Sequence, residues 1–271
     1  MNDRVTVDIR DGVADVRLVR TDKMNALDDA MFSALIETGE RLKGEAGVRA
    51  VVLSGEGRAF CAGLDMGSFQ AMASGGAARN RDTSASLLTP KRTEGGANRA
   101  QHACMVWREI PVPVIAAVHG VAFGGGFQLA LGADLRFVAA DVKMAVLEIK
   151  WGLIPDMAGM VLMRGLVRDD VARELTYSGR IFGGEEAVAM GLATRVCADP
   201  RAEALALAAE IAAKNPHAIR AGKRLLNMMG DADQHALLLE ESQEQGALIG
   251  SANQVEAVTA NLQKRTPSFA D

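Results

Sequence analysis

Residues 114–137, VIAAVHGVAFGGGFQLALGADLRF, constrain the fold more than any other part of this chain. Residues 114–118 form an apolar run with the length and β-branched content of a strand buried on both faces. Gly120 and the triplet Gly124, Gly125 and Gly126 follow, and FQLAL at 127–131 reads as a short helix opening directly behind them. Residues 135–139 read as the next apolar strand. Three glycines at a helix start clear side chains from the place where the first backbone N–H groups lack intrahelical partners. Such a place suits an anion, or an oxygen that gains negative charge during a reaction. Taken alone, the same residues also describe an ordinary flexible turn, so the choice falls to the rest of the chain.

Residues 5–9 and 13–18 alternate with polar residues around Asp11-Gly12, a hairpin signal. A polar turn occupies 20–25, and Asp28 or a neighbour caps a helix with Met31, Leu35 and Leu42 at helical spacing. AVVL at 50–53 is a strand ended by SGEG, and the small-residue segment AFCAGLD at 59–65 comes just behind it. Residues 70–101 are polar and Gly-rich with no sustained apolar period, which reads as a long insertion. A helix from 103 to 110 is stopped by Pro111 and Pro113 ahead of the organising strand. A strand at 143–146 and helices at 168–177 and 184–190 complete the first part. Beyond Asp199-Pro200 the composition shifts, and 201–214, 231–249 and 253–265 read as helices. The expectation is an α/β core over 1–199, a variable insertion at 70–101, and a helical region over 200–271.

Composition narrows the partners. With 8 Phe, 2 Trp and 1 Tyr in 271 residues, the core must be filled mainly by Ala, Val, Leu, Ile and Met. A net charge of -4 argues against nonspecific nucleic-acid binding, which needs a basic face. No apolar run approaches the roughly 18 residues of a membrane span. The opening MNDRVTVDIRDG has no basic-then-apolar leader pattern. Cys61, Cys104 and Cys197 form no disulfide framework or ligand spacing, which reads as reduced thiols in a cytoplasmic protein. His102, His119, His217 and His235 show no metal or triad spacing either, so no metal is expected.

Two small-residue turns after apolar strands, at Gly63-Leu64 and at Gly124–Gly126, could each aim one backbone N–H at a common oxygen. Spacing alone does not bring them together. Asn25-Ala26-Leu27, AFCAGLD at 59–65 and VHGVAFGGG at 118–126, in that order, resemble the crotonase (enoyl-CoA hydratase/isomerase) superfamily. TYSGRIF at 176–182, residues 187–196 and Asn215-Pro216 extend the likeness over nearly the whole chain except 70–101. The resemblance implies a spiral of ββα units and a C-terminal helical region that trimerises, with trimers pairing into hexamers in some members. It implies a coenzyme A thioester substrate, no prosthetic group, and an oxyanion hole made by the N–H groups of Leu64 and Gly125. For coenzyme A contacts it implies Lys23 and Met24 in the first turn, Ala62, Asp65 and Met66 around the second, and Lys264 in the tail. Thr21 departs from the family pattern, which usually has proline there. Lys264 also reads as a solvated charge at a helix end.

The acid/base positions separate the activities. Family members that hydrate enoyl-CoA use two glutamates; by resemblance these fall on Gln128 and Glu148. A carboxamide does not exchange protons usefully near neutral pH, so Gln128 is expected to orient a water or substrate at most. Asp156, eight residues after Glu148, resembles the carboxylate spacing of dienoyl-CoA isomerases, and reads equally as the N-cap of a following helix. Double-bond isomerisation through an enolate is therefore favoured, with Glu148 as the base and Trp151, Leu153 and Met157 raising its pKa. A hydratase using Glu148, alone or with Asp156, and a non-catalytic acyl-CoA-binding protein remain as alternatives.

Overall fold

The chain builds its core by laying one long and one short extended segment per turn of the backbone. The computed structural model describes residues 3–73, 88, 90–230 and 232–271. The order is β1 (Val5–Arg10), β2 (Val13–Leu18), α1 (Asp29–Lys43), β3 (Ala50–Gly55), α2 (Met66–Ala73), α3 (Arg99–Glu109), β4 (Val114–Val118), β5 (Val121–Phe123) and α4 (Gly125–Leu131). β6 (Leu135–Ala139), β7 (Lys143–Ala145), α5 (Gly159–Met163), α6 (Asp169–Ser178), α7 (Gly184–Ala189) and β8 (Arg195–Cys197) follow. The carboxyl-terminal part holds α8 (Pro200–Ala212), α9 (Pro216–Met228), α10 (Gln234–Leu248) and α11 (Ala252–Gln263).

The long strands form one sheet in the order β1-β2-β3-β4-β6-β8, parallel except for the β1–β2 hairpin. Its faces follow the two-residue period of a strand. Val51, Leu53, Val114, Ala116 and Val118 enter the main core with α1, α3 and α4. Ala50, Val52, Ile115, Ala117 and Phe137 face the other way, onto Ala204, Ala208 and Ala212 of α8. That stripe of alanines, one per helical turn, lets α8 lie close on the sheet. The first helix after residue 199 thus completes the sheet's second face. Burial on both sides explains why 114–118 carries no polar residue.

The short segments stack as a second layer. β5 and β7 run parallel, and single bridges join Leu27 to Leu64 and Cys61 to Ala122 in parallel, with Phe182 closing antiparallel on Met144. Successive turns of the chain therefore place residues near 27, 61–64, 121–123 and 143–145 side by side. This is a mixed α/β spiral of ββα turns, as expected.

Several boundaries move. β3 continues through Gly55, because Arg17 and Leu18 pair with Ser54 and Gly55. α3 starts at Arg99 rather than 103, held by a capping box between Asn98 and Gln101. Residues 70–101 are not without regular structure: α2 runs into them from Met66 and the first turn of α3 closes them. Residues 74–87 and 89 of that insertion lie outside the described residues. α9 is an amphipathic helix inside the expected helical region, additional to the three helices expected there. Asn215 caps it, Pro216 opens it, and its buried Lys223 donates to Val112 O (2.9 Å) and Asp134 Oδ2 (2.8 Å). Asp134 Oδ2 also accepts from Val114 N–H at 2.7 Å, so α9 is tied to the start of β4. No helix among the described residues is long and apolar enough to cross a membrane.

Candidate active site

The glycine turn and the 59–65 segment meet because they are neighbours in the second layer. Phe60 N–H donates to His119 O (2.9 Å), Cys61 N–H to Val121 O (3.1 Å), and Phe123 N–H back to Cys61 O (3.1 Å). Glycine is required where they touch. A Cβ on Gly126 would stand 2.2 Å from Cys61 O. One on Gly63, whose φ is +87°, would stand 2.5 Å from Phe123 O and 3.7 Å from Gly125 N.

That proximity sets the two amides. Leu27 N–H donates to Gly63 O (2.8 Å) and Asp65 N–H donates to Leu27 O (3.0 Å), so residues 63 and 65 turn those groups toward Leu27. Alternation along an extended chain then turns the Leu64 N–H the other way, toward the side occupied by 123–125. Gly125 opens α4, where an N–H has no intrahelical acceptor. Among the described residues neither amide has a hydrogen-bond partner.

Glu148 starts the short 3-10 turn Glu148–Trp151 behind β7, whose Ala145 O accepts from Gly124 N–H at 3.0 Å. Its side chain is buried, and a Cβ on Gly124 would lie 3.3 Å from Glu148 Oε1. Gln128 Nε2 donates to Oε1 at 2.7 Å, while Oε2 is buried without a partner. Burial raises the Glu148 carboxyl pKa, against the Gln128 hydrogen bond, which lowers it; the nearby Asp156 charge raises it further. Of the apolar neighbours expected to do this, Met157 is buried, with its sulfur near Gly125. Trp151 and Leu153 are 40% and 42% exposed, so they do not seal the carboxyl.

Gln128 is 1% exposed and faces inward. Its Oε1 accepts from Met157 N–H (2.9 Å) and Gly159 N–H (2.8 Å), and its nitrogen is turned to Glu148. Its oxygen is thus committed to two backbone donors, and the second hydrogen of its nitrogen is what it has left to offer a water or substrate. Asp156 is not a helix N-cap: α5 begins at Gly159 behind Ala158, which has φ +71°. The Asp156 side chain is solvent-accessible, yet the protein around it excludes enough water to raise its carboxyl pKa.

The residues expected to contact coenzyme A divide. Ala62 N–H donates to Met24 O (2.9 Å), so the 20–26 turn and the 59–65 segment form one edge, with Lys23 exposed and Met24 half-buried in a left-handed conformation. Met66 is 56% exposed at the start of α2. Asp65 plays a different part: its oxygens accept from Arg20 Nη1 (2.7 Å) and Gly67 N–H (2.8 Å), and these contacts hold its carboxyl below the usual range. It braces the Leu64 loop. Lys264 caps α11 in a left-handed conformation and is exposed, apart from the others. His119 Nε2 lies 3.0 Å from Gly57 O, a backbone contact. Sequence spacing missed one grouping, Glu40, His102 and Glu109 between α1 and α3, where Lys43 Nζ already lies 2.8 and 2.6 Å from the two carboxylates.

The arrangement sets two unpartnered amides in turns that pack against each other, with a buried carboxyl beside Gly124. That combination suits proton transfer beside a polarised carbonyl. The chain is similar to known proteins along almost its whole length. The family model described as enoyl-CoA hydratase/isomerase matches residues 8–271. A Bacillus subtilis (strain 168) protein named "Probable enoyl-CoA hydratase" is 33% identical over 90% of each chain. The human mitochondrial Delta(3,5)-Delta(2,4)-dienoyl-CoA isomerase is 32% identical over 78% of this chain and 64% of its own. The crystal structure of an enoyl-CoA hydratase from Bacillus anthracis superposes with a TM-score of 0.85 at 27% identity, covering 98% of both chains. Spiral core, paired glycine turns and matching sequence agree: the chain belongs to the enoyl-CoA hydratase/isomerase family.

Proposed function

We propose that the protein shifts a carbon–carbon double bond along an acyl-CoA thioester through an enolate. The Leu64 and Gly125 N–H groups grip the thioester oxygen, which acidifies the neighbouring carbon. Glu148 takes a proton from that carbon through Oε2, and Glu148 or Asp156 returns one further along the chain. Lys23, Met24, Ala62 and Met66 line the edge along which coenzyme A runs, and Lys264 serves a neighbouring subunit. The observation that carries this reading is a single buried carboxyl with one free oxygen, next to a position filled by the non-titrating Gln128. Hydration is the second reading, favoured by the raised pKa of Asp156 as a second acid.

Mass spectrometry of a panel of 3-enoyl-, 2-enoyl- and dienoyl-CoA thioesters in heavy-oxygen water separates the two. The expected result is unchanged mass with a moved double bond. Incorporated oxygen supports hydration, and binding without any change supports an acyl-CoA-binding protein.

The reading includes self-association as a trimer or hexamer. α10 buries none of its residues, and Leu238, Leu239, Val255, Val258 and Leu262 of α10 and α11 are about half exposed or more. Light scattering on the eluted protein is expected to give three or six times the protomer mass; a monomer at micromolar concentration contradicts it.

A further inference from the structure

Gln128 joins the two carboxylate-bearing segments, and the geometry leaves its amide one orientation. Met157 N–H and Gly159 N–H are donors only, so the atom between them must be the carbonyl oxygen. The nitrogen then faces Glu148 Oε1. A carboxamide nitrogen donates and does not accept, so Oε1 has to be an acceptor in both protonation states of Glu148. A proton carried by Glu148 therefore sits on Oε2, the oxygen without a protein partner. The same amide oxygen holds the turn that follows Asp156. Ala158, between the two gripped amides, has φ +71°, a conformation that alanine keeps only when its surroundings hold it.

We propose that Gln128 is a positioning residue, confining proton transfer to Glu148 Oε2 and fixing the Asp156 turn relative to that oxygen. The inference deepens the isomerase reading and rests on it for its kinetic arm. The titratable group acting on Glu148 here is Asp156; the buried Cys104 thiol, which burial holds neutral, feels the Glu148 charge in turn. Neither donates to Oε1, where Gln128 Nε2 is the side-chain donor.

Two variants separate the two duties. Gln128→Met removes both donor and acceptor at similar length. Gln128→Glu keeps an oxygen for the Met157 and Gly159 amides but gives Glu148 no donor unless it binds a proton itself. Both are expected to lower kcat by about tenfold to a hundredfold, the weight of one hydrogen bond to a charged group, with KM little changed. Both are expected to move the acidic limb of the pH–kcat profile to higher pH. In the apo protein, NMR titration of carboxyl-labelled glutamate should show the Gln128→Glu pair releasing one proton well above the wild-type Glu148 step.

A folded Gln128→Glu variant with an unmoved acidic limb, or a change confined to KM, overturns the proposal. If wild-type protein turns over no acyl-CoA, the isomerase reading fails by itself. The NMR arm then decides for Gln128: a Glu148 step at the same pH in wild type and Gln128→Met, which adds no titrating group, overturns the positioning role.

Discussion

Glu148→Gln is expected to reduce kcat by about 10³-fold, within the range a positioned general base contributes, while KM changes only a few-fold. The substitution keeps shape: the new carboxamide can turn its oxygen to Gln128 Nε2, which donates to Glu148 Oε1 in the wild type. Its own NH₂ takes the place of Oε2, which has no protein partner, and a buried unsatisfied donor costs about 1–3 kcal/mol. An opposing effect offsets this. Burial raises the folded-state pKa of Glu148, so the protonated fold is favoured. The stability so gained is fully present below the unfolded-state pKa and is lost as pH rises through the raised folded value. Above that raised value the wild type therefore holds an ionised carboxylate at a disadvantage that the neutral variant lacks. Melting temperature at pH 7 should stay close to wild type while turnover collapses. For the wild type, kcat/KM should rise with pH through the raised Glu148 pKa, because the base must be ionised to act. Full activity in the folded variant would remove Glu148 from the chemistry.

Gly63→Ala carries the second large effect, and it acts through the backbone. At φ +87° an L-residue is strained by about 1–2 kcal/mol. The new Cβ would also stand 2.5 Å from Phe123 O. That carbonyl cannot easily retreat, since Phe123 N–H is bonded to Cys61 O and β5 is paired with β7. Overpacking of this kind adds about 1–3 kcal/mol. Relief comes by moving the 63–64 segment away from 123–125, which separates the Leu64 and Gly125 amides. Losing one such donor typically lowers the rate by about 10²–10³-fold. Gly222→Ala is the control: a Cβ there meets nothing within 4 Å and should leave kcat/KM unchanged. Equal activity of Gly63→Ala and wild type would mean that the two amides do not act on one oxygen.

Legibility in the sequence followed the range of the interaction. Asp28 as the cap of α1 could be read locally, and its carboxyl accepts from Met31 N–H at 2.8 Å. α9 is strongly amphipathic in its own sequence, yet the burial of its Lys223 against Asp134 and Val112, far away in the chain, could not be read there. Asp65 could be placed by its motif, yet its engagement with Arg20 depends on how two loops fold against each other. The partners of Gln128 were likewise invisible: nothing in GGGFQLAL says that its oxygen meets backbone amides at 157 and 159.

By itself, the sequence determined the strand–glycine–helix turn and the apolar run of β4. It also placed an amide at 128 with acids at 148 and 156, because side-chain type, backbone freedom and hydrophobic period are local properties. Only the tertiary structure decided that the 63–64 turn packs against residues 123–125, that Glu148 keeps one oxygen free, and that α8 covers the sheet. Those outcomes depend on parallel pairing between separate turns of the spiral, and parallel pairing joins segments whose separation along the chain leaves no mark in either one.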